Sequence, residues 1–243
     1  MRIDKRTSNQ LRPVAIALGV NPYAEGSAEI SVGRTKLLVT ASVEAQVPKW
    51  LGVGNGGWIT AEYGMLPRST HTRNNREAAT GKLGGRTHEI QRLIGRSLRQ
   101  AVCLKELGEV TIKLDCDVIC ADGGTRTAAI TAGWLALSQA IEWAKAQSIV
   151  SKDLIVNQVA AVSVGMLGGE LLLDLSYEED SQAEFDLNVV MNDQMKFIEI
   201  QGTAEKLALD RKQLDSLLEL SQVGISDLFA KQQASLNTRG KGL

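Results

Sequence analysis

At 243 residues, with a net charge of −1, 44% hydrophobic and 23% charged residues, the chain has the make-up of a globular protein with room for a sizeable core. No stretch approaches the roughly 20 apolar residues that span a bilayer, and the N-terminus lacks the apolar run of a signal peptide, so neither a membrane partner nor export is expected. Three cysteines (Cys103, Cys116, Cys120) in apolar stretches and two histidines make no metal-ligand pattern and point to a reduced, cytoplasmic setting.

The β-branched run from Ser27 to Val43, broken at Gly33, predicts two antiparallel strands. A glycine-rich loop, LGVGNGG, follows at 51–57. Next comes a basic segment, Leu66 to Arg99, with eight basic residues against two acids. Its first part, carrying Arg68, Arg73 and Arg76, has no apolar period and reads as a loop. Its second part is helical: Ile90, Leu93, Ile94, Ser97, Ala101 and Val102 recur at the spacing of a buried face, and at about 100° per residue Arg92, Arg96 and Arg99 fall opposite it. Arg86 stands apart, following Gly84-Gly85 at the helix start.

Val110 to Ile119 alternates apolar and polar residues, the period of a half-buried strand. It runs directly into an Ala- and Leu-rich helix from Thr125 to near Gln147. After Ser151 the pattern restarts: VNQVAAVSVGML and ELLLDLSYEED predict two strands joined at Gly168-Gly169, and DLNVVMN and KFIEIQGTA two more. A last helix begins near Asp210, with Gln213 in the capping-box position. The expected fold class is α/β (α+β), two β-α lobes whose mixed sheets are packed with helices. The chain reads as one domain over 1–243: an N-terminal lobe of about 1–150, a C-terminal lobe of about 151–236 and a short polar tail, 237–243, expected to fray.

Three constellations carry chemistry. The first is the turn ADGGTRT, Ala121 to Thr127. A strand that passes through Asp-Gly-Gly into a helix leaves backbone N–H groups pointing outward at the positive end of the helix dipole, an anion site. Gly123 and Gly124 permit close approach, Thr125 adds a hydroxyl and Arg126 a charged fork. A plain tight turn with Thr125 as N-cap explains all of these except Arg126, which opposes the helix dipole unless an anion lies nearby. The second is the acidic run from Asp174 to Asp186, with Glu178, Glu179, Asp180 and Glu184 between them and no basic residue. Glu178, Glu179 and Glu184 are expected on an exposed loop. Asp186 opens an apolar strand, so Asp180 and Asp186 form a candidate carboxylate pair for Mg²⁺, which takes a few carboxylates plus water and phosphate oxygens; a solvated acidic hairpin is the plainer alternative. The third is the basic segment, where seven of eight cations are arginine, the side chain suited to bidentate phosphate contacts. Anion pocket, carboxylate pair and polyphosphate track together suit phosphoryl transfer, which depends on positioning and charge neutralisation.

These residues lie in longer runs: RIDKR, LRP, GWITAEYGMLPRSTHTRNNREA, GGRTHEIQRLIGRSLR, DVICADGGTRTAAITAG, LDLSYEEDSQAEFDLNVVM and IEIQGTAE. Over nearly its whole length the chain resembles the ribonuclease PH family of phosphate-dependent 3′→5′ exoribonucleases. The resemblance implies paired β-α lobes in a homo-hexameric ring, a trimer of dimers, that trims 3′ ends of precursor tRNA and other RNA with inorganic phosphate as co-substrate and Mg²⁺. Nucleoside diphosphates are released, and the reverse reaction adds nucleotides. Position by position, it puts the phosphate ligands on Arg86, Gly124, Thr125 and Arg126, the catalytic and metal-binding carboxylates on Asp180 and Asp186, and the grip on RNA at Arg68, Arg73 and Arg76. Cys120 and the run Lys206 to Leu209 depart from the family pattern without touching a matched ligand. Two other readings are a non-catalytic RNA-binding ring subunit and a hydrolytic nuclease; a phosphate pocket argues against hydrolysis.

Overall fold

The computed structural model describes residues 2–204 and 206–239. The N-terminal half builds a five-stranded sheet from β1 (Val14–Leu18), β2 (Gly26–Val32), β3 (Thr35–Glu44), β4 (Trp58–Met65) and β5 (Thr111–Cys120), in the order β1-β2-β3-β5-β4. Only the β4–β5 pair is parallel. Parallel neighbours need a crossover, here a short helix α1 (Glu77–Thr80) followed by α2 (Gly85–Arg99). The expected hairpin is β2–β3, and β5 buries Ile112, Leu114, Cys116 and Val118 as its alternation requires.

Helix α3 (Thr125–Ala146) is buried almost all round, from Thr127 to Ile141 without a break. A helix apolar on every side has to lie between layers, and α3 packs against β2 and β3 on one side and against a strand of a second sheet, β6 (Val159–Leu167), on the other. The second sheet adds β7 (Glu170–Leu173), then a one-turn helix α4 (Tyr177–Asp180), then β8 (Phe185–Asn192) and β9 (Phe197–Ala204). Its order is β7-β6-β8-β9, antiparallel throughout, so the mixed character is confined to the first sheet. Helix α5 (Arg211–Arg239) covers this sheet, with Leu217, Ile225 and Leu228 against Phe185 and Val189. One apolar cluster runs from Ile30 and Val39 through Ala129 and Trp134 of α3 to Val159 and Val190 of the second sheet.

The structure departs from the sequence reading in several places. Helix α2 stops at Arg99, so Ala101 and Val102 are buried beyond its end, and Val102 bridges to Ile155. The strand expected over 170–180 ends at Leu173, because Asp174 adopts φ 54° and turns the chain into α4. Residues 237–239 of the expected polar tail continue α5, while 240–243 lie outside the described residues. The Gly168-Gly169 turn is as expected: it pairs Leu167 with Glu170 and has φ of 60° and 77°, the positive values that two-residue hairpins favour. The capping box at α5 forms in full, Gln213 N to Asp210 Oδ1 at 2.8 Å and Asp210 N to Gln213 Oε1 at 3.0 Å.

Candidate active site

The turn between β5 and α3 is built by two left-handed glycines, Gly123 (φ 81°) and Gly124 (φ 68°). A side chain at Gly123 would place its Cβ 2.6 Å from the Leu175 carbonyl, so the position tolerates nothing larger. Gly124, not Thr125, is the N-cap residue, and no side chain caps the helix. The carbonyl side of the turn is pinned from behind: Arg12 donates to Asp122 O and, at 3.3 Å, to Gly123 O, and Thr35 Oγ1 donates to Gly123 O at 2.7 Å. The first helical bond is Ala128 N to Gly124 O, so the N–H groups of Gly124, Thr125 and Arg126 have no protein acceptor among the described residues. These donors, together with the helix dipole, give the turn the electrostatic character that suits an anion. Thr125 Oγ1 lies 2.8 Å from the Tyr63 hydroxyl. Burial pushes the Tyr63 phenol above its ordinary value, against the opposing effects of that hydrogen bond and of Arg86 and Arg126, and keeps it a neutral hydroxyl.

Arg86 and Arg126 are each the second residue of their helix, α2 and α3, and both border one cleft of about 620 Å³. Arg86 is exposed. Arg126 has partners within the protein: its Nη1 donates to Glu89 Oε1 at 3.0 Å and to Gln201 Oε1 at 2.8 Å. Part of the anion that offsets the dipole is therefore a carboxylate of the protein.

Asp180, at the end of α4, and Asp186, the second residue of β8, border the same cleft from the second lobe. The rest of the acidic run does not form an exposed loop. Ser176 and Glu179 make a capping box, and Glu179 is buried, its carboxylate held by Arg2 Nε and Nη2 at 2.7 Å each. Asp174 is also buried, accepting from the N, Nε and Nη2 of Arg12 at 2.8, 2.9 and 2.6 Å. Arg6 lies 3.6 Å from both carboxylates. Glu184 is half-buried and accepts from Gly168 N at 3.1 Å; only Glu178 of the three is exposed as expected. The repulsion inferred from the acidic run is relieved by three arginines some 170 residues away in sequence. Their presence among the first twelve residues was the available signal.

Arg68, Arg73 and Arg76 are exposed on the loop between β4 and α1, outside the cleft, though Thr70, His71 and Asn74 of that loop border it. Arg92, Arg96 and Arg99 do not act as one face. Arg92 is exposed, and Arg96 pairs with Glu199 of β9. Arg99 turns inward, its guanidinium 4.3 Å from the Trp58 ring centre and Nη1 bonded to Ile59 O at 2.9 Å.

No group of three or more His, Cys, Asp or Glu side chains that could hold a metal occurs among the described residues. Two carboxylates at the edge of a cleft lined by phosphate-type donors nonetheless fit Mg²⁺, which keeps several waters and takes further ligands from substrate phosphates. No helix among the described residues is long and apolar enough to cross a membrane.

Two β-α lobes that bring arginines, an amide turn and carboxylates to one cleft have the parts that phosphoryl transfer uses. The model of the 3′ exoribonuclease family, domain 1, matches residues 10–141, and that of domain 2 matches residues 157–224. The protein named Ribonuclease PH in Caulobacter vibrioides (strain NA1000 / CB15N) is 55% identical over 236 residues, covering 97% of this chain and 99% of that one, and its namesake in strain ATCC 19089 / CIP 103742 / CB 15 matches equally. The chain belongs to the ribonuclease PH family of 3′ exoribonucleases. Among solved structures, Rrp46 of rice (Oryza sativa) superposes with a TM-score of 0.80 at 21% identity, covering 97% of this chain and 100% of that one. A chain of the Archaeoglobus fulgidus exosome with RNA bound to the active site gives 0.76 at 24% identity, covering 99% and 92%. Both share the fold.

Proposed function

We propose that the protein is a phosphate-dependent 3′→5′ exoribonuclease that trims the 3′ ends of precursor tRNA and other RNA, with reverse nucleotide addition from nucleoside diphosphates. The observation that carries this reading is that Arg86, Thr125, Arg126, Asp180 and Asp186 all border one cleft. Inorganic phosphate sits against Arg86, Arg126, the Thr125 hydroxyl and the orphan N–H groups of the β5–α3 turn, which hold it without reorganisation. One of its oxygens attacks the terminal phosphodiester. The bond to the 3′ oxygen of the penultimate nucleotide breaks, the terminal residue leaves as a nucleoside diphosphate, and the proton lost by hydrogen phosphate balances the one gained by the leaving oxygen. Mg²⁺ on Asp180 and Asp186 would supply the positive charge that lets two phosphate groups approach. Arg68, Arg73 and Arg76 hold the RNA backbone on the loop whose other residues border the cleft. The working form is a cytoplasmic homo-hexamer, a trimer of dimers, of the kind implied by the resemblance to the family, and the two lobes act as one domain. A non-catalytic RNA-binding subunit would have no use for carboxylates facing a phosphate pocket.

Incubating a 3′-tailed RNA with the protein, Mg²⁺ and phosphate should release nucleoside diphosphates, and only when phosphate is present. Monophosphates would mean hydrolysis, and no release would leave a binding subunit; either result overturns the reading. Arg126→Ala should raise KM for phosphate by about ten- to a hundredfold, the worth of a hydrogen bond to a charged group, with RNA binding retained. Loss of RNA binding at normal phosphate dependence would contradict that assignment.

A further inference from the structure

Arg126 sits in a closed ring of hydrogen bonds that phosphate binding does not itself require. Besides the two bonds from its Nη1, Gln201 Nε2 donates to Glu89 Oε1 at 2.6 Å, so each of the three side chains contacts both others. They come from three separate elements, α3, α2 and β9. A second polar link runs parallel to it, Arg96 of α2 to Glu199 of β9. Glu89 and Arg96 are two helical turns apart, and Glu199 and Gln201 are alternate residues of a strand, so each pair shares a face. The ring is thus seated on an α2–β9 junction that spans the two lobes.

The ring uses only one end of the guanidinium, since both of Arg126's contacts are made by Nη1. An arginine side chain left to itself samples many rotamers, and one tethered at Nη1 presents the rest of its fork in a fixed direction. We propose that Glu89 and Gln201 are positioning residues for the reaction: from α2 and β9 they lock the Arg126 guanidinium toward the attacking phosphate. A purely structural ion pair is a poor alternative, because the Glu89 side chain is 40% exposed and such a pair adds little stability. Simple charge tuning is a second alternative, and it predicts the opposite sign, because removing a carboxylate beside an anion site would tighten phosphate binding.

The inference rests on Arg126 being a phosphate ligand, so wild-type turnover with and without phosphate is measured alongside the variants. Glu89→Ala should raise KM for phosphate about tenfold with KM for RNA within about twofold of wild type, and Glu89→Gln, which keeps an acceptor oxygen, should recover most of the loss. Gln201→Ala should act in the same direction, and the Glu89→Ala/Gln201→Ala double variant should be no worse than the more impaired single, since both act through one guanidinium. Unchanged phosphate KM in both single variants, a lowered KM in both Glu89 variants, or a parallel rise in KM for RNA would each overturn the proposal while the wild type stays phosphate-dependent. Phosphate-independent turnover of the wild type would instead overturn the functional reading beneath it.

Discussion

Asp180→Asn is expected to lower turnover by about a thousandfold or more, the rate equivalent of several kcal/mol of charge stabilisation in the transition state. The attacking phosphate and the scissile phosphodiester are both anionic, and the arginines of the turn serve the first of them. The second needs positive charge from the carboxylate side of the cleft, which carboxylates provide only by recruiting a cation. Asparagine keeps the shape of the side chain and removes the charge that would hold that cation. The substitution should leave the fold intact, because Asp180 is exposed and its place at the end of α4 is set by its backbone, whose N–H donates to Ser176 O at 2.8 Å. Phosphate binding, proposed to rest on Arg86, Arg126 and the amide turn, should survive. The measurement is nucleoside diphosphate release in a single turnover at saturating RNA and phosphate, with phosphate affinity read separately by thermal shift. Release within about threefold of wild type would take Asp180 out of the mechanism.

The contrast between the two sides of the cleft explains what could be read in advance. Apart from Arg86, the proposed phosphate side is a local device: strand, Gly-Gly, hydroxyl, arginine and helix follow one another closely, so β5, the turn and α3 are all legible from Ala121 to Thr127 and the alternation before it. The carboxylate side is not local. Asp174 and Glu179 look like members of one acidic run with Asp180 and Asp186, yet the first two are structural and buried while the last two border the cleft. Only their partners separate them, and those partners are Arg2, Arg6 and Arg12. A capping box, Ser176 to Glu179, was present in the sequence and could have marked α4, but the apolar run of β7 leading into it favoured a continued strand. Glu89 and Gln201 lie in two of the matched runs, but they are over a hundred residues apart in sequence and their contact exists only once α2 and β9 meet. Arg99 shows the same limit in reverse: helical spacing put it on the solvent side, and the neighbouring strand, with Trp58 and the Ile59 carbonyl, drew it inward.

Arg2→Ala should cost about 3–5 kcal/mol of stability at neutral pH, because it strips a buried carboxylate of its main partner. The Arg2 and Glu179 side chains are 3% and 5% exposed, and the guanidinium also donates to the carbonyls of Leu173 at 2.8 Å and Asp174 at 2.9 Å. Arg6, at 3.6 Å from Glu179, is too distant to replace those bonds in full. Burial alone would push the Glu179 carboxyl up; the bonds from Arg2 and the Ser176 amide outweigh it and hold the group below its ordinary value. A carboxyl depressed in the folded state contributes stability above its unfolded pKa and loses it as pH falls through the folded one. The Arg2→Ala chain lacks that contribution throughout, so its deficit against wild type should be largest near pH 7 and shrink in acid, as pH falls below the ordinary glutamate value of about 4.3 toward the depressed value of the folded wild type. The loss should reach catalysis as well, since α4 carries Asp180 one residue after Glu179. Urea unfolding midpoints at the two pH values read the deficit directly. A cost below about 1 kcal/mol at neutral pH, or one that grows in acid, would mean that the N-terminal arginines do not anchor the carboxylate side of the cleft.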